Sequence, residues 1–69
     1  MKGTYHGIDF ECSSRKRNGK YAGEYQLIVH HDQYTYIIKK SVGKTFPTPR
    51  EAEIEAMELA KNQIEKALF

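Results

Sequence analysis

The sequence predicts an α+β fold of order β-β-β-α: a three-stranded antiparallel meander over about residues 4–17, 20–30 and 33–43, packed on a C-terminal helix over about 49–68. Three observations carry this. Residues 4–46 hold all five tyrosines, both valines and most of the isoleucines, whereas residues 48–69 are mainly Ala, Glu, Leu, Met and Lys. Asn18-Gly19 is the dipeptide favoured by a tight hairpin turn. Thr48-Pro49-Arg50-Glu51 is a helix start, with an N-cap, a first-position proline and a capping glutamate.

Placing Asn18-Gly19 at a hairpin tip pairs Arg17 with Lys20, Cys12 with Tyr25, Phe10 with Leu27 and Ile8 with Val29. Period-two alternation then sends the last six of these to one face. A second turn at His31-Asp32, two residues that tolerate positive φ, pairs Val29 with Tyr34, Leu27 with Tyr36 and Tyr25 with Ile38. Both turns therefore send the same residues of the second strand inward. In the helix, Ala56, Met57, Ala60, Ile64, Ala67 and Leu68 form an apolar stripe of helical period, with Ala52 and Leu59 on one flank and Ile54 on the other.

The outer sheet face carries Asp9, Glu11 and Ser13, then Glu24, Gln26 and Ile28, then Thr35, Ile37 and Lys39. Glu24 is expected opposite Lys39, and Ile28 diagonal to Ile37. A two-layer fold leaves this face uncovered, so Ile28 and Ile37 are candidate interface residues, with Leu59 on the helix flank. At the Asn18-Gly19 end, Arg15, Lys16, Arg17, Lys20, Lys44 and Arg50 gather near the helix N-terminus, a candidate nucleic-acid or phosphate surface. The other pole holds His6, His30, His31 and Asp32. Adjacent strand residues point to opposite faces, so His30 and His31 are not expected to share a metal ion.

The 69 residues suffice for a single domain, residues 1–69, with a net charge of only +2. No apolar run approaches the ~20 residues that cross a bilayer. The lone Cys12 cannot form an internal disulfide, which suits a cytoplasmic protein. Nucleophile triads, glycine-rich phosphate loops and metal-ligand spacings are absent from the sequence. The expectation is a non-enzymatic module that needs no cofactor, metal, membrane or small-molecule substrate.

The order Asn18-Gly19-Lys20-Tyr21, a hairpin, then Lys44-Thr45-Phe46-Pro47-Thr48-Pro49-Arg50-Glu51-Ala52-Glu53 resembles two groups of small β-β-β-α DNA-binding domains. These are the N-terminal domains of tyrosine integrases and the plant ethylene-response factors, which carry a similar Phe-x-Thr-x-x-Glu-Ala step from third strand to helix. Small bacterial β-β-β-α proteins share the junction. The resemblance implies a sheet face laid in the DNA major groove through Arg, Lys and aromatic residues. Here that face holds Asp9, Glu11 and Glu24 against Arg15 and Lys39, and the carboxylates would repel phosphates. The closing strand and helix are also similar to the end of double-stranded-RNA-binding domains, whose helix begins with paired lysines; here Arg50, Glu51 and Glu53 stand there. Two functions are thus expected: protein interaction or self-association through the sheet face or helix flank, and alternatively nucleic-acid binding at the basic pole.

Overall fold

A computed structural model describes residues 1–66, in which four strands and one helix follow in the order β1 (Lys2–Tyr5), β2 (Ile8–Arg17), β3 (Lys20–His31), β4 (Tyr34–Phe46) and α1 (Pro49–Lys66). The strands form one antiparallel sheet in chain order, with α1 on one face. The α+β class, the meander and the closing helix are as expected; the strand count is not. The expected strand over 4–17 is broken at His6-Gly7, whose φ values of 50° and 78° make a two-residue turn joining Tyr5 to Ile8. Glycine adopts this backbone without strain, and histidine is among the side chains that tolerate it. Ala67 and Leu68, expected in the helical stripe, lie outside the described residues.

The β2–β3 register is the expected one, with Phe10 opposite Leu27 and Cys12 opposite Tyr25 around Asn18-Gly19, at φ 49° and 78°. The next turn falls at Asp32-Gln33 rather than His31-Asp32, with φ 51° at Asp32. β4 therefore sits two residues from its expected place: Val29 faces Tyr36 and Leu27 faces Ile38. A two-residue slip preserves which face each side chain takes. It does move Tyr34 outward along the hairpin, where it is 62% exposed.

Further along, Ala22 faces Thr45 while Glu24 faces Ser41, so Val42, Gly43 and Lys44 stand against the single residue Gly23. This bulge lets β4 bend and brings Val42 into the core. Gly23 is also where the helix comes closest. A Cβ built there would lie 2.4 Å from the Ala52 carbonyl oxygen and 3.2 Å from Val42 Cγ2.

The helix begins as its sequence requires. Thr48 Oγ1 accepts the Glu51 backbone N–H at 3.3 Å, and the Thr48 carbonyl accepts that of Ala52. α1 lies mainly over β2 and β3. Its contact stripe is Ala52, Ala56 and Ala60, all fully buried, followed by Gln63 and Ile64. Ala52 is thus in the middle of the packed face rather than on a flank. Small side chains let the helix axis sit low on the sheet, over a core of Phe10, Cys12, Tyr25, Leu27, Val42 and Ile64. The buried Gln63 accepts the Tyr25 hydroxyl, so its polar amide does not enter the core unbonded.

Candidate functional site

The registers of β2, β3 and β4 arrange the outer face in rows that cross all three strands. One row is Asp9, Ile28, Ile37; the next is Glu11, Gln26, Lys39; the third is Ser13, Glu24, Ser41. Two expectations are corrected by the position of β4. Ile28 and Ile37 are directly opposed instead of diagonal, which brings their side chains within ~5.5 Å at Cβ. Glu24 faces Ser41, and Lys39 faces Gln26. Among the described residues no element covers this face, and Ile37 is 54% exposed.

The polar groups around the isoleucines are largely engaged within the sheet. Asp9 accepts the Thr4 hydroxyl at 2.7 Å and lies 3.9 Å from His30 Nε2. Gln26 Nε2 donates to Glu11 Oε2 at 3.1 Å, and Arg15 lies 3.7 Å from the Glu24 carboxylate. Lys39 has no such partner among the described residues. The second and third rows form the floor of a shallow concavity of about 430 Å³, lined by Glu11, Ser13, Arg15, Glu24, Gln26 and Lys39. On the opposite layer, Leu59 is 36% exposed at the mouth of a second hollow between β4 and α1, shared with Tyr25, Ser41 and Asn62.

The basic pole is assembled by the same registers. Arg17 and Lys20 flank the β2–β3 turn, Lys16 faces Tyr21, which faces Phe46, and Arg15 faces Ala22, which faces Thr45. Lys44 and Arg50 therefore fall at the same end of the sheet, and all six cations are exposed. Among the described residues Arg15 alone of the six is ion-paired.

The histidines do not converge. His6 lies in the β1–β2 turn against the Tyr5 ring, His30 is within hydrogen-bond distance of Thr35 Oγ1 at 3.0 Å, and His31 stacks on Tyr34 and pairs with Asp32 at 3.2 Å. Among the described residues no group of His, Cys, Asp or Glu could hold a metal ion. Cys12 is buried, and burial pushes its thiol above the ordinary range, against a smaller lowering by the N-terminal amine. A thiol held protonated is a packing group rather than a nucleophile.

Sequence reasoning placed the outer-face residues and the basic pole, but missed the rows. The rows follow from the turn at Asp32-Gln33, for which the chain carries no residue pair as decisive as Asn18-Gly19; the isolated strand glycines Gly23 and Gly43 signal only the bulge and the close helix approach. It also missed the exposed Tyr34, which stacks on His31 with ring centroids 5.6 Å apart. No helix among the described residues is long and apolar enough to cross a membrane. Comparison with protein families, with curated proteins and with solved structures finds no match.

Proposed function

We propose that the protein is a non-enzymatic interaction module that binds protein through its outer sheet face, with a second copy of the chain as first partner. The carrying observation is the directly opposed pair Ile28–Ile37, half-exposed at its Ile37 side on an uncovered face. Burying a cross-strand aliphatic pair at the centre of a contact, with polar groups already satisfied around it, is how hot spots are built. The test is solution mass by light scattering across a dilution series. The parent should be dimeric at high concentration, and Ile37→Glu should be folded but monomeric, because an unpaired carboxylate in a desolvated contact opposes assembly. A parent that stays monomeric up to ~1 mM, where association would be worth only about −4.1 kcal/mol, overturns the reading.

A second reading is favoured by the pole. Five exposed cations that have no ion-pair partner among the described residues, around one end of the sheet, suit phosphate contacts with little base preference. Affinity for duplex DNA should then fall with salt, with a logarithmic slope of about −0.9 per phosphate contacted. Replacing Arg17 and Lys20 by alanine should reduce the slope by ~1–2, while replacing Lys61 and Lys66 should leave it unchanged. Absence of binding at ~50 mM salt, where such contacts are strongest, removes this reading.

A further inference from the structure

We propose that the open edge of β2 at Ser14 and Lys16 takes up an extended acidic segment of another protein as an added strand. The edge is separate from the outer face that carries the self-association reading, so each can fail without the other. It exists because two neighbouring strands differ in length. β1 covers β2 only from Ile8 to Glu11, and Met1 and Cys12 exchange one further pair of backbone hydrogen bonds, at 2.7 and 3.0 Å. β2 runs on to Arg17.

The backbone groups of an antiparallel strand point alternately to its two neighbours. Arg17 and Lys20 close the β2–β3 turn, so the odd-numbered residues of β2 bond to β3. Cys12, bonded to Met1, marks the even-numbered ones as facing the other way. The N–H and C=O groups of Ser14 and Lys16 therefore point away from β3, and no strand among the described residues receives them. Ladder groups left open on a sheet edge are what strand addition uses.

The charge beside this edge selects what can pair with it. Arg15 and Arg17 stand on the outer face and Lys16 on the inner, all exposed, with Lys20 across the turn. A second copy offering the same edge would set these cations against themselves, and the free edge of β4 would bring Lys39 and Lys40. Cations on an edge oppose pairing of that kind. Toward an acidic strand the same cations are attractive, so one device rejects the wrong partner and favours the right one. Carboxylates at alternate positions would fall beside Arg15 and Arg17, at the ~4.5–5.5 Å Cβ spacing of cross-strand pairs. The Arg15–Glu24 pair is exposed and long at 3.7 Å, weak enough for an incoming carboxylate to share. The inner positions call for neutral side chains. Lys61 lies over the Tyr5 ring, so its flank of α1 faces the β1 side, and Glu53, two turns earlier, shares that flank. A nucleic-acid backbone could use the cations but would leave the ladder groups of Ser14 and Lys16 to water. A polypeptide strand uses both.

The probe is a blocked peptide of roughly seven alternating threonines and glutamates, long enough to span Ser13–Arg17, with a threonine–lysine peptide as control. Binding to the full chain is followed by NMR together with amide hydrogen exchange. The glutamate peptide should bind with Kd below ~1 mM and the lysine peptide should not. With glutamate peptide at ~10 times Kd, exchange at Ser14 and Lys16 should slow about tenfold, while Arg15 and Arg17, already bonded to β3, should change little. Ser14→Pro removes an outward N–H and spares the β2–β3 ladder, so it should weaken the peptide about tenfold or more. Arg15→Glu with Arg17→Glu should exchange the preference for the lysine peptide. If Ser14→Pro fails to fold by circular dichroism, the exchange pattern of the parent decides alone. No binding at ~1 mM, equal binding of the two peptides, or binding without selective protection of Ser14 and Lys16 would overturn the proposal. Salt-dependent binding of duplex DNA in any of those cases assigns the pole to phosphate instead. Ile37→Glu should bind the peptide as the parent does, so a parent that never dimerises leaves this edge untouched.

Discussion

The close approach of α1 to β3 at Gly23 can be tested with one added methyl group. In Gly23→Ala the new Cβ would stand 2.4 Å from the Ala52 carbonyl oxygen, about 1 Å inside ordinary contact, and 3.2 Å from Val42 Cγ2. The clashing atom is backbone in the first turns of a capped helix, so it cannot swing away as a side chain would. Relief requires the helix to rise from the sheet, and a gap of ~0.5–1 Å forfeits a quarter to a half of each contact well along the alanine stripe. Overpacking of this kind costs ~1–3 kcal/mol, and the rigidity of the obstacle places this case near the upper end. Against a total stability of roughly 3–10 kcal/mol for 69 residues, that is a severe loss, equivalent to a fall in Tm of about 10–20 °C. Thermal unfolding followed by far-UV circular dichroism measures it. Two controls sharpen the reading. In Gly3→Ala the obstacle is the Phe10 ring tip at 2.6 Å, which can move, so the loss should be smaller. In Gly43→Ala the new methyl meets nothing within 4 Å, and stability should hold or rise by up to ~1 kcal/mol. If Gly23→Ala melts with Gly43→Ala, the helix does not rest on Gly23 and the packing argument fails.

Leu27, fully buried at the core, should cost ~2–5 kcal/mol on truncation to alanine in urea unfolding; an unchanged midpoint would refute the register that points it inward. Thr48→Ala should cost ~0.5–2 kcal/mol through loss of the cap to Glu51, seen as a lower Tm, and an unaltered Tm would place the helix start elsewhere. Burial, and secondarily Cys12, hold the Tyr25 phenol above its ordinary 10.0. The folded state thus binds that proton more tightly than the unfolded chain, so its contribution is complete below about pH 10 and is lost as pH rises through the higher folded value. Denaturation midpoints should fall on the alkaline side for the parent and less steeply for Tyr25→Phe. Equal slopes would mean that the phenol is not desolvated.

What was legible in the sequence was whatever one residue pair decides locally. Asn18-Gly19 placed a turn, and the turn placed Phe10 against Leu27 and every inward residue between; Thr48 and Glu51 placed the helix start. The errors arose where two local solutions compete. His6-Gly7 offers the same backbone freedom as Asn18-Gly19, yet it sits beside a run of strand formers that also suits one long strand. The choice between His31-Asp32 and Asp32-Gln33 turns on long-range fit to α1, which chain-local preferences do not contain. Helical period alone puts Ala52 on a flank of the stripe, whereas the missing side chain at Gly23 makes it the point of closest approach. In the candidate site, the membership of the outer face was legible because parity survives a two-residue slip. The rows that pair Ile28 with Ile37 and set Lys39 level with Glu11 were not.

The chain-order sheet β1-β2-β3-β4 has a consequence for how the molecule assembles in time. Every strand neighbour is also a sequence neighbour across a two-residue turn, so the sheet can zip outward from its hairpin tips with little loop-closure entropy. The helix is different. Tyr25 reaches Gln63 and Tyr5 reaches Glu65 across 38 and 60 residues, contacts that close only once the sheet exists to receive them. A transition state with β2–β3 formed and α1 undocked follows from this order. Leu27→Val should then slow refolding, whereas Ala60→Gly should chiefly speed unfolding. A lone meander lacking the helix would show its alternate-residue apolar face to water, so any delay between zipping and docking is the interval in which this chain is most exposed to aggregation.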